Sequence, residues 1–163
     1  GDSGVYAMAG LVYELNSKLD KREEIRVVQG VTSSISAAAS LGAPLMHDFC
    51  QISLSDLMTD WSLIEKRLEL ASMADFVICI YNPKSKGRPN HLKRAFEIMQ
   101  AYKPATTPVG IVKNAGRTNE EKYIKTLESM DFEVCDMSTM IIVGNKETYI
   151  DGDKIITPRG YGI

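Results

Sequence analysis

Four short stretches carry the residue types that hold a ligand at a sheet edge: Gly1 to Tyr6, Gly30 to Ser34, Tyr81-Asn82, and Asn114 to Arg117. Each is small, polar or glycine-bearing, and each is placed where a strand or turn ends. In open α/β sheets ligands bind beyond the carboxyl ends of the strands. The first stretch holds an acid, Asp2, and no lysine, so it lacks the Gly-Lys-Ser/Thr ending of a phosphate cradle. A carboxylate there repels a pyrophosphate and suits an ammonium or a sulfonium. The same residues also suit a plain turn in which Asp and Ser cap a helix.

Lys84, Lys86 and Arg88 follow Asn82 in one loop, and Lys113 and Arg117 stand at the next strand end. In a chain of formal net charge -2, this local clustering suits a carboxylate-rich substrate held by charge-assisted hydrogen bonds, or else a solvated loop. His47 beside Asp48 is better read as a surface or hinge histidine than as a general base, and His91 stands at a helix start. With two histidines and no partner acids at ligand spacing, the expectation is no metal site. No Ser-His-Asp or Cys-His spacing offers a nucleophile.

The elements that must position these loops follow from periodicity. Val5, Met8, Ala9, Val12 and Leu15 recur at helical spacing, and small Ala9 and Gly10 would let that helix approach a sheet. Ile25 to Val28 reads as a short β-branched strand. Thr32 to Ser34 supply cap candidates for a helix from Ser36 to Leu41. The alternation of Cys50, Ile52 and Leu54 with polar residues predicts a half-buried strand. Trp61, Ile64, Leu68 and Ala71 form one face of a helix capped by Thr59 or Asp60. Phe76 to Ile80 is a central strand covered on both faces. Pro89 suits the first turn of a helix that buries Leu92, Ala95, Phe96 and Met99. Pro108 to Val112 and Met140 to Val143 are further strands, Tyr123 to Leu127 fits strand or helix, and a hairpin turns at Asp151-Gly152. The expected class is α/β with mixed sheets. Its first domain, residues 1–45, is incomplete and is followed by a second α/β domain at 46–163.

At 163 residues the chain holds one ordinary domain, or one and part of another. The net charge gives no electrostatic case for nucleic acid, and no apolar run approaches a membrane span. Three cysteines, widely spaced in apolar surroundings, read as reduced thiols of a cytoplasmic protein.

With these residues in view the chain resembles the tetrapyrrole methylases. The first two loops, Gly1 to Ala9 and Gly30 to Ser34, mark the superfamily. Pro44 to Leu57, Tyr81-Asn82-Pro83 and Asn114 to Arg117 are similar to the branch that methylates C17 of a corrin precursor; Ser138 to Gly144 matches as well. The resemblance implies a two-domain α/β enzyme with S-adenosylmethionine in a cleft, and usually a homodimer. It also implies transfer to C17 of precorrin-3B or a cobalt-bound counterpart, with ring contraction, in cobalamin biosynthesis. Matched residue by residue, it assigns Gly1, Asp2, Tyr6, Thr32, Ser33, Asn82, Asn114 and Ala115 to the cofactor. Lys84, Arg88 and Arg117 become candidates for the substrate's carboxylates; no catalytic acid or base is assigned. Gln29 departs from the family's usual proline before Gly-Val-Thr-Ser. Family members carry a further domain half with a Gly-Pro-Gly loop ahead of this point, so the chain is expected to represent a C-terminal portion. The alternative reading is a non-catalytic fragment or dimerisation module. A nucleotide-binding protein unrelated to methylation is disfavoured by the lysine-free opening loop.

Overall fold

The computed structural model describes residues 1–162. In chain order the elements are α1 (Ala9–Asn16), α2 (Ser33–Leu41), β1 (Gly42–Ala43), β2 (Phe49–Ser53), α3 (Trp61–Met73) and β3 (Val77–Tyr81). There follow α4 (His91–Gln100), β4 (Pro108–Lys113), β5 (Glu121–Thr126), β6 (Thr139–Val143), β7 (Tyr149–Asp151) and β8 (Lys154–Ile156). Two sheets result: a five-stranded one ordered β2-β3-β6-β4-β5 and a small one ordered β1-β8-β7. Strands β2 and β3 run parallel, whereas β6 and β5 enter antiparallel to their neighbours, so the main sheet is mixed.

Strand β3 is buried along its whole length, because its alternate side chains go to two different cores. Ile78 and Ile80 join Ile64, Leu68, Phe96, Met99 and Ile111 under helices α3 and α4. Val77, Cys79 and Tyr81 face the other way, toward Ala37, Ala38 and Leu41 of α2 and toward Val112, Met140 and Ile142. The alanine run of α2 allows close approach to the sheet. Gly110 of β4 completes the fit, since a Cβ there would come within 2.3 Å of the Leu41 side chain. Helix α2 and strand β1 therefore pack with the sheets that follow them in sequence.

Most expected elements form, and α4 buries the four residues its spacing predicts. Tyr123 to Leu127 resolves as edge strand β5 with Leu127 buried behind it. Asp60 rather than Thr59 takes the α3 cap position, where its carbonyl accepts the Leu63 and Ile64 amides. Pro89 lies ahead of the Asn90 cap and outside helix α4. Helix α2 starts earlier than expected, at Ser33.

Ile25 to Val28 is not a strand. A strand needs a ladder partner for its backbone groups, and none pairs with this segment among the described residues. Val27 and Val28 stay 40% and 72% exposed. Helix α1 forms where expected, yet it buries no residue; Leu11, Val12, Tyr13 and Leu15 are all exposed. No helix among the described residues is long and apolar enough to cross a membrane.

Candidate functional site

The phenol of Tyr81, at the end of β3, is the hub of the site. Its oxygen lies 2.6 Å from Thr32 Oγ1, accepts the Ser34 amide at 3.2 Å, and donates to Ser34 Oγ at 3.0 Å. Thr32 is the cap residue of α2 but makes no capping bond with its own helix, because its hydroxyl is engaged by Tyr81. The strand end thus grips the start of α2 directly. The ring of Tyr6 rests against that of Tyr81, with centroids 4.9 Å apart. The Tyr6 hydroxyl donates to the Gln51 carbonyl of β2 at 2.9 Å, and burial pushes its pKa up.

The opening loop and the Gly30 turn are tied together by Asp2. Its Oδ1 accepts the Gly4 amide at 2.7 Å and its Oδ2 the Gly30 amide at 2.8 Å. These bonds hold its carboxyl below the usual carboxylate range, as backbone donors to the charged form do. A Cβ at Gly30 would meet the Gly1 carbonyl oxygen at 2.3 Å, so the closeness of the two loops requires glycine. Asp2 therefore acts as a clamp between loops, and both of its oxygens already carry a bond.

Asn82 and Asn114 terminate strands β3 and β4 with φ of 52° and 51°, and Tyr6 has φ of 50°. Such left-handed backbone is uncommon for residues other than glycine and concentrates at binding sites. Asn82 donates to Ser53 Oγ at 2.8 Å, which ties the end of β3 to the end of β2. The backbone N–H of Asn114 donates to the Ser138 carbonyl at 3.1 Å.

Two cavities meet at Asn82. One, of about 230 Å³, is lined by Ser33, Asn82, Asn114, Ala115 and Arg117 together with Met137 and Ser138. The other, of about 390 Å³, lies against Tyr6, Gln51, Ser53 and Met58. Of the residues expected at the cofactor, Tyr6, Ser33, Asn82, Asn114 and Ala115 line one or both. Gly1, Asp2 and Thr32 line neither; they stand behind, holding the loops that do.

The expected substrate cations separate. Arg117 is exposed on the smaller cavity. Lys84 is engaged with the Phe132 carbonyl at 3.2 Å and Glu133 at 3.3 Å, and Arg88 is only 7% exposed. Both belong to the loop after Asn82, on the far side of Met137. His47 lies apart, in a groove with Asp75, Lys146 and Arg159, and its Nδ1 accepts the Asp48 amide at 2.8 Å. His91 sits 2.9 Å from Asp56, with its ring against Trp61. No group of three His, Cys, Asp or Glu among the described residues could hold a metal ion.

Sequence reasoning placed Tyr81 and Ser34 within the ligand-holding stretches, and Ser34 among the cap candidates, but not the bonds between them, and it assigned no role to Ser53 or Gln51. A tyrosine closing an otherwise aliphatic strand was the available signal for the first. The others act through a hydroxyl or carbonyl, which no spacing rule marks.

The chain is similar in sequence and fold to known proteins. The family model of the tetrapyrrole (corrin/porphyrin) methylases matches residues 1–131. A probable cobalt-factor III C(17)-methyltransferase of Salmonella typhimurium is 60% identical over 161 residues, which cover 99% of this chain and 67% of that protein. A precorrin-3B C(17)-methyltransferase of a Sinorhizobium species is 45% identical over 169 residues, covering 99% of this chain and 66% of that one. The crystal structure of the methyltransferase CobJ superposes with a TM-score of 0.93 at 36% identity, over 97% of this chain and 67% of that chain. The chain thus spans about two thirds of the length of these relatives. Its sheet, its loops and this family match agree: the chain belongs to the tetrapyrrole (corrin/porphyrin) methylases.

Proposed function

We propose that the chain is part of an S-adenosylmethionine-dependent methyltransferase that methylates C17 of cobalt-factor III, with ring contraction, in cobalamin biosynthesis. The observation that carries this reading is the 60% identity, over 161 residues, to the Salmonella protein described as a probable cobalt-factor III C(17)-methyltransferase. The relative at 45% identity described as acting on precorrin-3B makes the metal-free macrocycle the second candidate substrate.

The residues present fit the cofactor. The wall made by Ser33, Asn82, Asn114 and Ala115 is small and uncharged, so an extended nucleoside could lie along it without a steric or charge conflict. Left-handed backbone at Asn82 and Asn114 turns the chain away at the sheet edge and leaves the space open. A bound S-adenosylmethionine supplies a methyl group already activated by its sulfonium. The protein's own task is then positioning, and alignment alone can supply much of the barrier reduction. Tyr6 and Tyr81 hold the opening loop on the sheet, Asp2 holds that loop to the Gly30 turn, and Asn82 fixes the ends of β2 and β3 together. Arg117 at the cavity is suited to a carboxylate of the macrocycle, while Lys84 and Arg88 lie beyond Met137, away from that cavity. A homodimeric state and a cytoplasmic location are proposed with this reading, on the family resemblance, as is the division of the chain at residues 45/46, with α2 and β1 of the first part docked on the second.

Incubation with S-adenosylmethionine and cobalt-factor III, followed by mass spectrometry of the tetrapyrrole, tests the reading. The expected product is heavier by one methyl group, with the methyl on C17 by NMR. Methylation at another carbon would overturn the assignment, as would none in an extended protein that spans the full length of its relatives.

A further inference from the structure

Arg88 is a cation without an adequate partner. It is 7% exposed, and its Nη1 is buried with no hydrogen-bond partner. Nε donates to Ser85 Oγ at 3.1 Å, and Nη2 reaches only the Met137 sulfur, at 3.8 Å. The nearest carboxylate, Asp56, is 3.9 Å from Nε, and its other oxygen is bonded to His91. A guanidinium offers five donors in a fork matched to a carboxylate, and a buried charged donor left unpaired is costly. This fork is poised for an acceptor that the fold itself does not provide.

Its surroundings indicate which acceptor. Ser85 and Met137, the two side chains to which the Arg88 guanidinium donates, both line a recess of about 560 Å³. Lys84, Lys86, Pro89, Cys135, Asp136 and Ser138 complete the lining, and the Arg88 guanidinium lies behind Ser85 and Met137 rather than on the wall. Its walls are mainly apolar, with two lysines among them. The one acid, Asp136, is engaged by Ser138, Thr139 and Lys113, so its charge is compensated. Met137 and Ser138 also line the smaller cavity at Asn82 and Asn114, so the two spaces share a wall. That wall is movable: Met137 is 54% exposed, and methionine is unbranched and adaptable.

We propose that this recess is a carboxylate subsite, in which Arg88 anchors an acidic side arm of the substrate and Met137 is the gate displaced when the arm enters. The inference rests on the proposed tetrapyrrole substrate, whose apolar ring with carboxylate arms has the chemistry of the recess. It singles out Arg88 from Lys84, which already has Glu133 and the Phe132 carbonyl. The arm's two oxygens would pair with Nη1 and Nη2 in place of the weak sulfur contact.

Fluorescence titration with uroporphyrin III, a carboxylate-rich tetrapyrrole, tests this alongside calorimetry with S-adenosylmethionine. Arg88→Gln is expected to weaken uroporphyrin binding by roughly tenfold or more with cofactor affinity unchanged. Arg88→Lys is expected to recover part of the loss. Met137→Ala is expected to bind uroporphyrin at least as tightly as the parent. Equal uroporphyrin affinity in folded Arg88→Gln and parent chains would overturn the subsite and leave the cofactor reading intact. Parent chain that binds neither molecule would overturn both. Should Arg88→Gln not fold, the Arg88 Nε–H NMR resonance of the unmodified chain decides: a shift on adding uroporphyrin supports the subsite, and no shift under saturating binding removes it.

Discussion

Single hydroxyl and carboxylate groups hold the candidate site together, and they are the groups to perturb first. Tyr81→Phe removes the bonds to Thr32 and Ser34 but keeps the ring and its contact with Tyr6. Ser34 is fully buried, so its unpaired groups should make the loss about 1–3 kcal/mol, measurable by urea denaturation. An unchanged midpoint would mean that the hub is incidental. Asp2 makes a pH prediction. Its pKa is depressed in the folded chain, so the clamp's contribution is fully present above the ordinary aspartate value of about 3.9. It is lost only as the pH falls through the lower folded value. The NMR shift of the Gly30 amide should therefore titrate below the ordinary aspartate range; titration at or above that range would contradict the clamp. Sequence alone placed Asp2 in the site by charge type, as an acid suited to a cation. The structure gives it backbone partners on both oxygens, information that depends on how two loops pack and that no local pattern carries.

Among the elements, legibility in the sequence tracked burial. Strand β3 and helix α4 could be read because apolar spacing is imposed by the core they enter; β3 runs one residue later than expected, and α4 begins after Pro89 while burying the four residues its spacing gave. Ile25 to Val28 has strand-forming residues but lacks a partner to pair with, and β propensity expresses a fit to neighbours more than a backbone preference. Helix α1 shows the converse: its periodicity was sufficient to form the helix, while its apolar side stays exposed. Helix α2 was legible as a helix but not in its attachment, which runs through Leu41 against Gly110 and through Tyr81. Leu41 is fully buried, and Leu41→Ala should cost about 3 kcal/mol by loss of burial and creation of a cavity. A thermal melt of the variant checks this. A loss well under 1 kcal/mol would mean that α2 is only loosely docked and could not fix Ser33 at the cavity.

At the scale of the whole molecule, the mixed sheet gathers loops from four distant parts of the sequence to one edge. Residues 1–6, 30–34, 81–82 and 114–117 are joined there by named bonds and shared cavities. Strand-end loops rich in Gly, Asn and Ser were visible in the sequence, and their convergence was expected from the placement of ligands at the carboxyl ends of strands. What spacing could not separate were the cations: Arg117, after β4, is exposed at the cavity, while Arg88, in the loop after Asn82, is buried behind Met137. The central claim is that these loops together make a wall for S-adenosylmethionine. Calorimetric titration of the chain with S-adenosylmethionine tests it most directly. Saturable binding, weakened about tenfold by Asn82→Ala, is the predicted result. No binding by a chain that is folded by circular dichroism, or equal binding by the Asn82→Ala variant, would contradict it.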